Sequence, residues 1–425
     1  MRAANRLSAS EAARLLQRRE LSAEQLMRDC LAHIEAREPE VRAFVQLDAA
    51  SALAQARALD AGPVRGPLHG LPLAVKDIFD TADLPTECGS PIFAGNRPRV
   101  DAAAVALCRE AGAIVVGKTV TTELANMTAG ITRNPFNPAH SPGGSSSGSA
   151  AAVADFMVPL SLGTQTAGSI IRPAACCGIV GIKPSFGRVP RAGVKPNADS
   201  MDTVGGFGRT VADAALLASV LTGDARLRET PLPESLRIGL APGPDWAQAE
   251  DDVTDCWERT ARALAAVAVR CEDAALPSDF ADVAAVQSAI QAAETAQALA
   301  FEHLWHRARL SEALVALLDR GRNVDALTLA ALRARTERWR REIDGLFERH
   351  DVLLAPSAVD EAPEGLQFTG DPVFCRPWSL LGLPCVHLPM GTGSSGLPVG
   401  LQLVGRLGDD HRLMAAAQWV MQRLG

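Results

Sequence analysis

The chain has 425 residues, 47% hydrophobic and 21% charged, with 35 glycines and 27 prolines; that balance supports a large core and excludes a disordered chain. A net charge of −7 without any dense Lys/Arg block argues against a nucleic-acid partner and for a small-molecule one. No run of about 18 uncharged apolar residues occurs and the first twenty residues hold no signal-like stretch, so a cytoplasmic protein without a membrane span is expected.

Ser8 with Glu11, and Ser22 with Gln25, form capping-box patterns that predict two opening helices, and a third helix runs from about Asp48 to Asp60. These N-terminal helices fill about residues 1–62. Leu71 to Val75 is short, apolar and bounded by Gly and Pro, which predicts a buried strand with Lys76 at its end. After Asp101 an Ala-rich helix leads into a second strand, AGAIVVGK, and TTELAN opens a short helix. Thr132 to Gly148 is rich in Pro, Asn, Gly and Ser and reads as loop. A small-residue helix, Ser149 to Ala154, and a strand, MVPLSLGT, then lead into the turn TQTAGSIIRP.

Beyond Pro184 the pattern predicts loops, a strand at Arg237 to Ala241, and a long helical region from about Asp251 to His350. The strands DVLLAP, CVHLPM and VGLQLVG follow, closed by a helix from about Asp409. No repeat or low-complexity linker marks a boundary, so one mixed α/β domain is expected. In it a core at about 63–222 carries the helical region of about 250–350 and the C-terminal strands. Nine cysteines, an odd number without CxxC or Cys/His ligand spacing, predict reduced thiols, no disulfide framework and no metal site.

Chemistry concentrates in SPGGSSSGSAAAVADFMVPLSLGTQTAGSIIRP, where Ser145 and Ser169 lie 24 residues apart in two Gly/Ser turns. A serine hydroxyl needs a neighbouring base, and the only histidine near either turn is His140. A lysine serves only when uncharged. At its reference pKa of about 10.4, roughly one molecule in 2,500 is deprotonated at pH 7, and reaching 7 takes about 4.6 kcal/mol of differential stabilisation. Burial at a strand end supplies a shift of that size.

These segments, with HGLPLAVKDIFDT around Lys76 and with TRNPFNP, MDTVG and LPVGLQLVG in order, resemble the amidase signature family over nearly the whole chain. The pattern is similar to small stand-alone amidases of the malonamidase type. The resemblance implies an α/β amidase signature fold, a central mixed β-sheet covered on both faces by helices. It implies Ser169 as nucleophile, Ser145 as a bridging serine behind a cis peptide bond, and Lys76 as the uncharged base. Thr166, Ala167 and Gly168 align with the oxyanion hole; the turn is TAGS here where many relatives have GGS. Asn126, Met127, Thr128 and Trp378 fall in segments that line the acyl pocket of relatives.

The implied reaction is hydrolysis of a small-molecule carboxamide, or a related C–N bond, through an acyl-enzyme that releases ammonia or an amine without any cofactor. Relatives are often homodimers. The alternative is the amidase component of a tRNA-dependent amidotransferase complex, for which this chain looks short.

Competing readings attach to the same residues. Gly144 to Gly148 also satisfies G-x-S-x-G, which would make Ser146 the nucleophile, but that elbow needs a strand before it and the chain offers a Pro-rich loop. No Lys-Ser/Thr follows to make a phosphate loop. Cys176, Cys177 and His387 read as packed core residues, and Pro356 to Asp371 as a mobile rim. Arg172 has two readings: a bidentate grip on a substrate carboxylate, or an internal salt bridge that supports the turn.

Overall fold

The computed structural model describes residues 3–424, through which one sheet of eleven strands runs. In chain order these are β1 (Phe44–Leu47), β2 (Pro72–Lys76), β3 (Ile114–Thr119), β4 (Leu160–Gln165), β5 (Val180–Lys183) and β6 (Thr203–Gly208). They are followed by β7 (Arg237–Leu240), β8 (Arg270–Asp273), β9 (Val352–Pro356), β10 (Cys385–Thr392) and β11 (Pro398–Val404). Across the sheet the order is β1-β3-β2-β4-β6-β5-β10-β11-β9-β7-β8. Strand β2 runs parallel to both neighbours and β7 to both of its own, while the other pairs are antiparallel, so the sheet is mixed.

The helices of the first half are α1 (Ala9–Gln17), α2 (Ala23–Val41), α3 (Ala49–Ala61), α4 (Ala103–Glu110), α5 (Ser147–Ala154), α6 (Ile171–Cys176), α7 (Val211–Thr222) and α8 (Arg226–Glu229). Those of the second are α9 (Asp251–Val267), α10 (Val283–Ala298), α11 (Ala300–His306), α12 (Glu312–Arg322), α13 (Ala326–Leu346), α14 (Arg376–Leu380) and α15 (Asp410–Leu424). They cover both faces, and the strand sequences show why. Along β9, Val352 and Leu354 join one apolar cluster with α7, α9 and α15, whereas Leu353 and Ala355 join another with α10, α13 and α14. A strand buried on both sides is apolar at every position, and VLLAP is such a run. Among the described residues no helix is long and apolar enough to cross a membrane.

The sequence-predicted elements differ from these in several places. The Ser8–Glu11 capping box forms with both bonds, but at Ser22 only the serine half forms, because Gln25 Nε2 donates instead to Asp29 Oδ1 at 2.7 Å. The region 251–350 is not one helical stretch: the edge strand β8 interrupts it, and β8 reads as polar because three of its four residues are exposed. Helix α5 begins at Ser147, two residues before the predicted start. The sequence reading contains no counterpart of strands β1, β5, β6 and β8 or of helices α6, α7, α8 and α14. For α7 a signal existed: Thr210 and Asp213 form a reciprocal capping box.

Candidate active site

Strand β2 ends between β3 and β4 at Lys76, whose side chain is fully buried. Its Nζ donates to Ser145 Oγ at 2.7 Å and to Thr164 Oγ1 at 2.9 Å, and among the described residues no carboxylate pairs with it. Burial lowers its pKa to about 7, helped by the positive charge of Arg172 and opposed by Asp202. Near neutral pH a substantial fraction of this lysine is therefore uncharged.

Ser145 is reached through a tight turn. Gly143 has φ of 75°, and a Cβ there would lie 2.8 Å from Pro173 Cα on α6, so the turn requires glycine on both counts. The Gly144–Ser145 peptide is cis. Its neighbour Ser146 is fully buried and its Oγ donates to Thr164 O at 3.3 Å, and no strand precedes it; the G-x-S-x-G pattern lacks the geometry of an exposed nucleophile elbow.

Ser169 sits in the turn between β4 and α6 and is partly exposed. Gln165 organises this turn: its Oε1 accepts from the backbone N–H groups of Ile170 and Ile171, both at 2.9 Å, and its Nε2 donates to Ser379 Oγ at 2.9 Å. Ser379 in turn donates to Ala167 O at 2.6 Å. Thr166 Oγ1 donates to Asp202 Oδ1 at 2.6 Å, and Asp202 Oδ2 accepts from the backbone of Asn197 and Ala198. The turn is thus held from its carbonyl and side-chain sides. Among the described residues no intramolecular acceptor takes the N–H of Ala167, Gly168 or Ser169. Fixed N–H groups without internal partners form a ready oxyanion site.

Arg172 joins the two serine turns. From α6 its Nε and Nη2 donate to Gly144 O at 3.1 and 2.6 Å, and its Nη1 donates to Gly370 O. The hydrogen-bond partners are backbone carbonyls, so the internal salt bridge does not form; Asp371, next to Gly370 in the loop, bears on Arg172 only as a nearby charge. That loop, read from sequence as a rim, also packs Thr369 against Gly144.

Ser169 opens on a cavity of about 450 Å³, also lined by Thr166, Ala167, Asn126, Met127 and Arg172. Asn126 donates through Nδ2 to Leu124 O at 2.8 Å, which leaves its buried Oδ1 without a partner among the described residues. Two expected lining residues lie elsewhere. Trp378 is 1% exposed and packs against Phe280 in the core below α14, because its large ring is more stable in the α10–α13 cluster than at a polar wall. Thr128 is exposed and donates to Ser311 Oγ at 2.7 Å, tying its turn to the N-cap of α12.

His387 is a core histidine, its Nδ1 2.7 Å from Ser357 Oγ and its pKa lowered to about 3 by burial. Cys176 and Cys177 are buried and burial raises both thiols, Cys176 to about 12, which keeps them unreactive. All nine cysteines are free thiols. Sequence reading missed Thr164, Gln165, Asp202 and Ser379. Gln165 carried a signal, since it is the one amide side chain in the strand LSLGTQ, every residue of which is buried; Asp202, among Asn197, Asp199, Ser200 and Thr203, carried none.

Fold and site together place the chain among enzymes that cleave C–N bonds by hydrolysis. It belongs to the amidase family, whose family model matches residues 25–414. It is 36% identical to a glutamyl-tRNA(Gln) amidotransferase subunit of Nitratidesulfovibrio vulgaris, over 100% of this chain and 98% of the relative. The putative amidase AmiD of Mycobacterium bovis is 34% identical over 100% of this chain and 95% of its own. A solved amidase structure superposes with a TM-score of 0.89 at 33% identity, over 99% of this chain and 100% of that one.

Proposed function

We propose that the chain hydrolyses a small-molecule carboxamide, or a related C–N bond, through an acyl-enzyme on Ser169. The observation that carries this is a fully buried lysine bound only to hydroxyls, 2.7 Å from Ser145 Oγ. When Lys76 is uncharged that hydrogen bond reverses: Ser145 O–H donates into the Nζ lone pair while Nζ keeps Thr164 Oγ1 as acceptor. Ser145 Oγ then takes the Ser169 proton as Ser169 Oγ attacks the carbonyl carbon. The developing oxyanion accepts from the turn at Thr166, Ala167, Gly168 and Ser169, where one donor contributes about 2.7 to 4 kcal/mol. The relay returns the proton to the leaving nitrogen, and water cleaves the acyl-enzyme. Asn126 and Met127 contact the acyl part, and Arg172 fixes the two turns rather than gripping substrate. The setting is cytoplasmic.

A second reading, the ammonia-producing component of a tRNA-dependent amidotransferase complex, is favoured by the 36% identity to a protein of that kind over the full chain. Against it stands length: that alignment runs over 485 positions and this chain has 425 residues. One experiment separates them. The isolated chain is incubated with amides, carbamates and ureas, ammonia is assayed, and trapped adducts are mapped by mass spectrometry. The stand-alone enzyme releases ammonia and carries the acyl group on Ser169, with Ser169→Ala inactive; silence without partner subunits supports the second reading. An adduct that survives Ser169→Ala and is lost in Ser146→Ala overturns the assignment of the nucleophile.

A further inference from the structure

Hydrolysis of an amide through Ser169 strands a proton inside the site. Water adds across the C–N bond, and the carboxamide leaves as ammonia, a carboxylate and one proton. During acylation the Ser169 proton goes to the departing nitrogen. During deacylation water gives one hydrogen back to Ser169 and its O–H to the acyl carbon, so a carboxylic acid forms within reach of the relay. Such an acid titrates at about pH 4 and Lys76 at about 7, so the proton passes to Nζ. Lys76 has to lose it before the next turnover, yet its side chain is fully buried.

Two hydroxyls touch Nζ, and they lead in different directions. Ser145, 1% exposed, leads back to Ser169 and the product. Thr164 is 8% exposed and lines a second cavity, of about 150 Å³, together with Ile78, Thr166, Val194, Asn197 and Asp202. Its Oγ1 accepts from Nζ at 2.9 Å, and no acceptor among the described residues takes its own O–H. A hydroxyl that accepts on one side and is free to donate on the other passes a proton by exchange. At about 30 Å³ per molecule the cavity is large enough for a short chain of waters, with polar groups along its wall.

The charges around this path favour an outward proton. Asp202 is partly exposed; its Oδ1 is held by Thr166 Oγ1 and its Oδ2 by the backbone N–H groups of Asn197 and Ala198, and among the described residues no cation pairs with it. Arg191 is taken by Asp199, and Lys195 by Glu302. Arg172, which donates to Gly144 O beside Ser145, repels a proton from the serine side. The mouth is open, since Pro196 and Asp199 of the wall are exposed.

We propose that Thr164 is a proton-transfer residue, which hands the proton left on Lys76 after each turnover to water in this second cavity and so past Asp202 to solvent. In the step an Nζ–H bond breaks as a new Thr164 O–H forms, and the old Thr164 O–H breaks as its proton joins a water. This rests on the amide-hydrolase reading.

Three variants test it. Thr164→Val removes the hydroxyl at nearly equal volume, Thr164→Ser keeps it, and Val194→Trp fills the cavity from its wall without touching a partner of Lys76. Ammonia release is measured at neutral pH with rising imidazole at fixed ionic strength. In Thr164→Val and Val194→Trp kcat should fall about tenfold or more, and imidazole should restore it. For Val194→Trp kcat/KM should stay within about threefold, because it ends at the departure of ammonia. Thr164→Ser should resemble the wild type. Equal falls in kcat and kcat/KM without imidazole rescue, or no fall, overturn the proposal. Exchange of the Lys76 Nζ hydrogens with water, followed by NMR in a chain with isotope-labelled lysine, needs no turnover, and the sequence has only four lysines to resolve. In Ser145→Ala, where Thr164 is the remaining hydroxyl partner, exchange should persist, and adding Val194→Trp should slow it about tenfold or more. A change within about twofold overturns the proposal. If no amide is cleaved yet exchange depends on the cavity, the hydrolase reading fails and the proton path stands. If ammonia is released and Val194→Trp alters neither kcat nor exchange, the path fails and the hydrolase reading stands.

Discussion

Lys76 and Lys118 are both fully buried, on the neighbouring parallel strands β2 and β3, yet they live in opposite electrostatic settings. The register pairs Val75 with Lys118 and Lys76 with Thr119, so the two side chains leave the sheet on opposite faces. On one face Lys118 Nζ meets Asp77 Oδ1 at 3.1 Å, Thr86 Oγ1 at 2.6 Å and Pro85 O at 3.0 Å. On the other, Lys76 meets only hydroxyls. Burial lowers both lysines, but for Lys118 the negative charge of Asp77 opposes the shift. Asp77 follows Lys76 directly in sequence. The carboxylate that would have kept Lys76 charged is turned away to neutralise a different lysine, and the sheet thereby separates a structural cation from a base.

Exchanging the properties of the two lysines tests that contrast most severely. Lys76→Arg keeps a cation that cannot deprotonate, so kcat should fall by about 10⁴-fold or more, as for loss of a member of a coupled catalytic set. Steady-state ammonia release measures this, and near wild-type activity in Lys76→Arg would remove the need for an uncharged base. On the other face, Asp77→Asn leaves Lys118 buried without its counter-ion and should cost about 3 to 5 kcal/mol of stability. Denaturant unfolding reads that loss, and a cost under about 1 kcal/mol would mean the pair is not an ionic one.

The pH dependence sharpens the comparison more gently. With Lys76 at about 7, kcat/KM should climb about tenfold per pH unit below 7 and level off above it, because the uncharged form is the active one. The same shift has a stability side. The unfolded lysine holds its proton up to about 10.4 while the folded one releases it from about 7, so between these values the unfolded chain binds more protons and folded stability rises with pH. Relative to Lys76→Met, the wild-type chain should therefore lose most below pH 7, about 4 to 5 kcal/mol, with the gap closing toward pH 10. A gap constant across that range contradicts the depressed pKa.

Much of the site was legible in sequence because its residues stand at structural boundaries that leave marks: Lys76 at the end of an apolar run, Ser145 among glycines, Ser169 after TAG. What held them was not legible. Gln165, Ser379 and Gly370 act from positions distant in sequence, and neither spacing nor composition says that Ser379 will reach Ala167 O. The two readings of Arg172 both assumed an acidic partner, since side chains are visible in a sequence and free carbonyls are not. The missed elements have equally physical causes. Strand β6, TVGGFG, has too many glycines for an alternating pattern, and α7 is buried on nearly every side, so it lacks a polar face to set its period. Strands β1 and β8 are four-residue edges, where exposure erases the apolar run.

The fastening of the Ser169 turn also sets an order of assembly during synthesis. Lys76, Ser145 and Ser169 all lie in the first half of the chain, but Gly370, which takes the Arg172 guanidinium, and Ser379, which holds Ala167 O, lie in the last sixty residues. A nascent chain that has already exposed all three reactive residues still lacks the groups that fix their turns. The last sixty residues thus belong to the site as its fasteners, although none of the three reactive residues lies among them.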